Sequence, residues 1–252
     1  MVGAGSGRLS ASVTIPFDDS LRAALTANLD AHERRTQALG GRRHAAVAVV
    51  LVDSVPRGDG AVGEAGRAVA GEASGAAAGE TGGAAAGETG GAAFILCLRP
   101  MRMSRHAGQY ALPGGRIDAG ETALDAALRE LEEELGIRLG PESVVGWLDD
   151  YLTRSGYLIT PVVLWGGADP PLRPAPDEVH TVYRISLQTL VDTEPRFIPI
   201  PQSDRPVLQL PLGNELVHAP TGAVLWQLRQ VGLLGRVGER VEGIEEPVFA
   251  WR

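Results

Sequence analysis

No part of the sequence restricts the fold more than the run from Gly115 to Ile137, because its local signals agree on one helix and give each face a different task. Thr122 and Asp125 have the Ser/Thr-x-x-acid spacing of a helix start, where two side chains satisfy backbone N–H groups that would otherwise lack partners. Gly136 supplies the stop, since glycine enters the left-handed conformation that closes a helix at little cost. Between these ends Leu124, Leu128, Leu131 and Leu135 form an apolar stripe that must be covered by another layer. Glu130, Glu133 and Glu134 are related by three and four residues and share a different face.

Like charges at that spacing oppose a helix by about 0.2–0.5 kcal/mol per pair, and a bound cation would reverse the sign. Carboxylates are hard oxygen ligands of the kind that hold Mg²⁺ together with phosphate oxygens and water. Arg129 is within reach of Glu133 one turn on and of Glu121 in the preceding loop, so it can orient an acid without touching a substrate. An isolated E-x-x-E-E is most often a solvated helix face; the glycines, Arg129 and Glu121 around this one set it apart.

The remainder of the chain supplies a sheet for that helix. Asp18 to Leu39 has helical periodicity, with Leu21, Leu25 and Leu29 one turn apart and Gly40-Gly41 as the stop. His44 to Val52 reads as a buried strand with Phe94 to Leu98 as its partner, and Tyr157 to Trp165 as another strand. Pro161, which has no N–H, suits an edge or a bulge. Val179 to Ile185 is a further strand, followed by a short helix capped by Ser186. Val207 to Val217 reads as a hairpin turning at Gly213-Asn214, and Ala219 to Leu234 as a closing helix.

Pro56 to Ala93 is different. It is mostly Gly, Ala and Glu, and GAAAGETG starting at Gly75 recurs at Gly83. Such a tract has too little to bury to offset its ordering entropy, and loop-closure cost grows only slowly with length. The expected organisation is a disordered start over 1–17 and one domain over 18–252 carrying a hairpin-loop insertion at 56–93. A protein whose function resided in the tract would be an interaction module instead.

Composition removes some functions. The formal net charge of −8 argues against non-specific nucleic-acid binding, and all 23 basic residues of the Lys and Arg count are Arg. No apolar run approaches the roughly 20 residues that cross a bilayer. Met1 to Ser12 is Gly/Ser-rich without the apolar centre of a secretory signal. A lone cysteine, Cys97, permits no internal disulfide and reads as core filler, so a cytoplasmic setting is expected.

Gly115 to Ile137 matches every fixed position of G-x5-E-x7-R-E-U-x-E-E-x-G-U, with U aliphatic, and so resembles the Nudix box. Seven specified residues fit, which ordinary residue frequencies produce by chance well below about 10⁻⁶ per starting position. The resemblance covers roughly 44–55 and 94–190. It implies an α/β class protein with the Nudix fold, an α/β/α sandwich with a mixed sheet, here with an N-terminal helix and a C-terminal helical and hairpin extension. It further implies Mg²⁺-dependent hydrolysis, with Mn²⁺ as a substitute, of a nucleoside diphosphate linked to another moiety. Carried over by position, Glu130, Glu133 and Glu134 bind metal, one of them being the candidate general base. The carbonyl of Gly115 is a further ligand, and Glu121 and Arg129 brace the loop and helix. Glu178, in PAPDEV, is the candidate extra acid. A homodimer is the usual assembly in the family.

The segment before the box, RPMRMSRHAGQYALPGG from Arg99 to Gly115, resembles that of the coenzyme A pyrophosphatase branch. Arg99, Gly108, Pro113, Gly114 and Gly115 match its pattern. Ser104 stands where a second Arg is expected, with Arg105 one residue late; Pro100 replaces a small residue and Leu112 a Phe. Arg99, Arg105 and Gly114 are the expected substrate contacts, with Arg suited to phosphate oxygens; His106 reads as a loop residue. Cleavage of coenzyme A to phosphopantetheine and adenosine 3′,5′-bisphosphate leads, with ADP-ribose, NADH and nucleoside triphosphates as alternatives. A catalytically inactive, nucleotide-binding Nudix domain is the reading from another class.

Overall fold

The computed structural model describes residues 14–54, 67–69, 91–101, 108–213 and 215–251. Its central strand is β1 (Arg43–Asp53), whose alanines and valines, apart from the half-buried Val47, are buried on both faces. Only a strand covered by helices on each side accommodates such an unbroken apolar run. β3 (Ala92–Leu98) lies antiparallel to it and β8 (Tyr157–Trp165) parallel, so the sheet is mixed. The hydrogen-bonded order runs β2 (Arg67–Val69), β9 (Thr181–Ser186), β3, β1, β8, β6 (Val144–Trp147). β4 (Tyr110–Ala111) extends β3, β5 (Gly114–Arg116) extends β1 and β7 (Tyr151–Leu152) extends β8.

The alternation of β1 sorts its side chains into two cores. Ala46, Ala48 and Val50 face the helix α2 (Ala123–Leu135), packing with Ala126, Leu131 and Leu135. Burying a leucine fully contributes roughly 1.5–3 kcal/mol, so Leu131 and Leu135 anchor α2 to the sheet. Val49 and Leu51 face the other way. They share a core with Leu25 and Leu29 of α1 (Asp19–Ala31), Leu190 of α3 (Leu187–Asp192) and Leu225 of α4 (Thr221–Gln227). The result is the expected α/β/α sandwich. A second sheet, β10 (Arg196–Ile200), β11 (Ser203–Leu212) and β12 (Glu215–His218), stands beside it and packs Leu208 against Trp226. Among the described residues no helix is long and apolar enough to cross a membrane.

Four expectations need correction. The first helix stops at Ala31, not near Leu39. The carboxylates of Asp149 and Asp150 capture the N–H groups of Arg35 and Gln37 at 2.8 and 2.9 Å, and His32 bonds Asp149 at 3.0 Å. Tertiary partners thereby outcompete local helix propensity. Pro161 lies within the sheet, on β8 between β1 and the β6–β7 edge. Its carbonyl accepts from Leu148, in the gap between β6 and β7, and its missing N–H faces that same gap.

Order begins before Asp18. The Ile15 carbonyl accepts from Ala92 N–H at 2.7 Å, and Phe17 stacks on Trp165 with ring centroids 4.0 Å apart. The tract expected to be an insertion gives up Ala92 and Ala93 to β3, and Arg67–Val69 pairs with β9. Most of that tract, residues 1–13 and Ser104 to His106 lie outside the described residues. Cys97 is buried, and burial pushes its thiol well above the ordinary range, in keeping with core filler.

Candidate active site

The helix that carries the acids is fixed at both ends. Thr122 accepts from Asp125 N–H at 3.2 Å while Asp125 accepts from Thr122 N–H at 3.0 Å, a completed capping box. Gly136 closes the helix with φ 70°. A Cβ there would also meet the Cβ of Arg173 at 2.8 Å, so glycine admits the returning loop. That loop satisfies two carbonyls the helix end leaves open: Arg173 N–H donates to Leu135 at 2.7 Å and Ala175 N–H to Glu134 at 2.8 Å. Glu178 N–H then turns back onto Ala175 at 3.1 Å, which directs the Glu178 carboxylate toward α2.

The acids separate by their position on the helix. Carboxylate oxygens of Glu130, Glu134 and Glu178 lie within 4.8 Å of one another. Glu133 stands outside this triplet, with its side chain 57% exposed and bonded to Arg129 at 3.0 Å. Glu130 and Glu134 are one helical turn apart and nearly superpose, whereas Glu133 is rotated by about 100° from Glu134. Arg129 braces the region. It donates to Glu121 at 2.8 and 3.1 Å, to Glu130 at 2.9 Å and to the Arg116 carbonyl at 2.9 Å. The Arg129 bond, with the Asp118 N–H, holds the Glu121 carboxyl below its usual range.

Electrostatics mark the triplet as short of positive charge. Burial raises the Glu130 carboxyl above its usual range, against the pull of Arg129. Burial also pushes Glu134 up to about 8; the Gly114 N–H and Arg99 oppose the rise, and the Glu130 and Glu178 charges add to it. Three hard-oxygen donors converging, one of them buried, match the ligand set of a divalent ion.

Two glycines bring the sheet up to these acids. β5 pairs with β1 through Ala46 opposite Gly115 and Val47 opposite Gly114. A Cβ on Gly115 would run into the Glu130 carboxylate, and Gly114 N–H donates to Glu134 at 3.2 Å. A cavity of about 500 Å³ borders both glycines and Arg99. Arg99 is tied into a turn by backbone bonds with Gln109 and Gly108, and its Nε is buried with no partner among the described residues. Arg105 lies outside the described residues. The far walls come from elements with no sequence motif: Tyr157 on β8, His218 on β12, and Glu246 and Phe249 near the C-terminus. Nothing in the local sequence around Glu246 marks it.

Similarity to known proteins bears on the same region. The model of the NUDIX domain family matches residues 84–209. NudL of Escherichia coli O6:H1 strain CFT073, described as an uncharacterized Nudix hydrolase, is 40% identical over 94 residues, 37% of this chain and 49% of that protein. The K12 protein of the same name is also 40% identical over 94 residues, with the same coverage. The chain spans about half the length of the curated relatives it matches. Among solved structures, the MutT/nudix family protein of Enterococcus faecalis aligns with TM-score 0.40 and 14% identity over 70% of this chain and 51% of its own. RenU, a Nudix hydrolase of M. smegmatis, aligns with TM-score 0.40 and 21% identity over 77% of this chain and 87% of its own. The matched span is half of the sequence and contains Glu130, Glu134 and Glu178; the chain belongs to the Nudix family.

Proposed function

We propose that the chain hydrolyses a diphosphate bond in a nucleoside diphosphate-linked metabolite, with Mg²⁺ held by Glu130, Glu134 and Glu178. The observation that carries this reading is the convergence of three carboxylates, from a helix and a separate loop, beside a cavity large enough for a nucleotide. The Gly115 carbonyl is proposed as a fourth ligand, and Mn²⁺ as a substitute metal. Bound there, the divalent ion supplies charge neutralisation at the phosphate oxygens and acidifies water for attack.

The chain's own residues do the remaining work by position. Arg129 holds Glu130 and Glu121 in place and keeps Glu133 on the outer face. Gly114 N–H holds Glu134 in one orientation. Arg99 borders the cavity and brings its guanidinium near Glu134, placed to donate to a phosphate oxygen. Positioning and charge stabilisation are the main contributions to phosphoryl transfer, so a rigid set of this kind is sufficient.

Coenzyme A is the proposed substrate, supported by the match of Arg99, Gly108, Pro113, Gly114 and Gly115 to that branch's pattern. A cytoplasmic setting and a homodimer complete the reading. Mass spectrometry after incubation with Mg²⁺ and a panel of coenzyme A, ADP-ribose, NADH and 8-oxo-dGTP tests it. Phosphopantetheine and adenosine 3′,5′-bisphosphate are the expected products. A clearly higher kcat/KM on another compound replaces the coenzyme A assignment, and no cleavage of any panel member removes the hydrolase reading.

A further inference from the structure

Glu246 is the second charged residue of the cavity wall with an unsatisfied buried atom. It is 2% exposed. Its carboxyl takes the backbone N–H of Arg154, yet Oε1 has no partner among the described residues. The adjacent cations are engaged elsewhere: Arg154 and Arg205 bond Glu245, which also accepts from Ser203 at 2.7 Å. Buried polar atoms in folded proteins nearly always have a partner, and Glu246 is part of the cavity wall. Burial pushes this carboxyl up to about 7, and in its ionised form both oxygens only accept, so the partner that completes it in that form donates.

The neighbouring wall says what kind of molecule carries that donor. Phe249 borders the same cavity and is 63% exposed, an unusual position for a large apolar ring. Its edge is set by His218, with ring centroids 5.6 Å apart and planes at 83°. An exposed aromatic ring and a buried acceptor in the wall of one cavity suit a planar ring bearing an amino group. A flexible amide chain would donate equally well but offers only the small plane of each amide, not an aromatic face, to set against Phe249.

We propose that Glu246 Oε1 accepts a hydrogen bond from the amino group of a nucleobase stacked on Phe249, so that Glu246 selects amino-bearing nucleotides. The proposal rests on the reading of this site as one for nucleoside diphosphate derivatives. It adds which end of the substrate meets the C-terminal wall. Arg99, Gly114 and Gly115 form the other end of the cavity, and the two glycines adjoin Glu134 and Glu130, so the phosphates belong there.

Binding of nucleoside 5′-monophosphates to the full chain with Mg²⁺, followed by calorimetry or NMR, tests this without turnover, since these compounds have no diphosphate bond. The pairs are AMP against purine riboside 5′-monophosphate, GMP against IMP, and CMP against UMP. In at least one pair the amino-bearing member should bind about tenfold tighter or more. Glu246→Met, which keeps the volume and removes the acceptor, should reduce that preference to below about twofold. Phe249→Ala, at an exposed ring, should weaken both members of the pair and leave their ratio unchanged. No amino preference by the native chain in any pair overturns the proposal, as does a preference that survives in Glu246→Met. Should that variant not fold, the native comparison and Phe249→Ala decide the matter. Amino preference without hydrolysis of the substrate panel would remove the catalytic reading and keep this one; hydrolysis without amino preference would do the reverse.

Discussion

Glu134 and Glu245 are both buried glutamates, 5% and 1% exposed, yet their carboxyls sit at opposite ends of the acid range. For Glu134 burial dominates and pushes the group up to about 8, since only one backbone N–H and the charge of Arg99 oppose it. For Glu245 burial acts in the same sense but is outweighed by Arg154, Ser203 and Arg205, which hold the group at about 2. One acid is complete within the chain. The other has one backbone N–H and fellow carboxylates for neighbours. The difference separates a residue that fastens the C-terminal segment to β11 from one that belongs to the carboxylate triplet proposed to hold metal.

The largest effect expected from this contrast is at Glu134. Glu134→Gln should lower kcat/KM by about 10²–10³-fold in steady-state assays. The same substitution should reduce the pH dependence of stability in metal-free protein. The folded carboxyl is raised to about 8 from its usual 4.5, so the folded state binds the proton more tightly than the unfolded chain. Stability therefore falls as pH rises from 4.5 toward 8. Thermal melts in EDTA from about pH 5 to 9 should show this slope in the native chain and a shallower one in the variant, where Glu246 and Glu130, also raised, still contribute in the same sense. An equal slope in both would place the raised group elsewhere.

A smaller effect, and one of stability alone, is expected at Glu245. Glu245→Gln should cost about 1–3 kcal/mol in denaturant unfolding, because it leaves two guanidiniums unpaired while both still reach solvent. Here the sign is reversed. The folded carboxyl lies at about 2, below its usual 4.5, so its stabilisation is present above 4.5 and disappears as pH falls toward 2. Hydrolytic activity of the folded variant should change little.

The smallest effect belongs to Glu133. With its carboxylate largely in solvent and tied to Arg129, Glu133→Gln should lower kcat/KM by less than about tenfold, acting through Arg129. A loss as large as that of Glu134→Gln would return Glu133 to the metal ligands and break the triplet as drawn.

Much of this was legible in the residues themselves. The α2 capping box, its Gly136 stop, β8 and the Ser186-capped helix follow from signals that operate within a few residues, where hydrogen-bonding options and glycine freedom are local matters. The early end of α1 was not legible. Asp149 and Asp150, more than a hundred residues away, decide it by taking the N–H groups of Arg35 and Gln37. β10 was missed as well, since RFIPI pairs only because β11 lies beside it.

In the site, the sequence alone determined which helix carries the acids and that Arg129 and Glu121 belong with them, because residue spacing on a helix is itself geometry. It grouped Glu133 with Glu130 and Glu134, as spacing along one helix allows. Which of the three acids meets Glu178 depends on how that helix lies on β1 and where Arg173 and Ala175 pin the returning loop. Glu246 lines the same cavity from the far end of the chain, and only tertiary packing leaves its Oε1 buried and without a partner among the described residues. Burial and partnership are properties of the assembled fold, so no short-range pattern could have announced them.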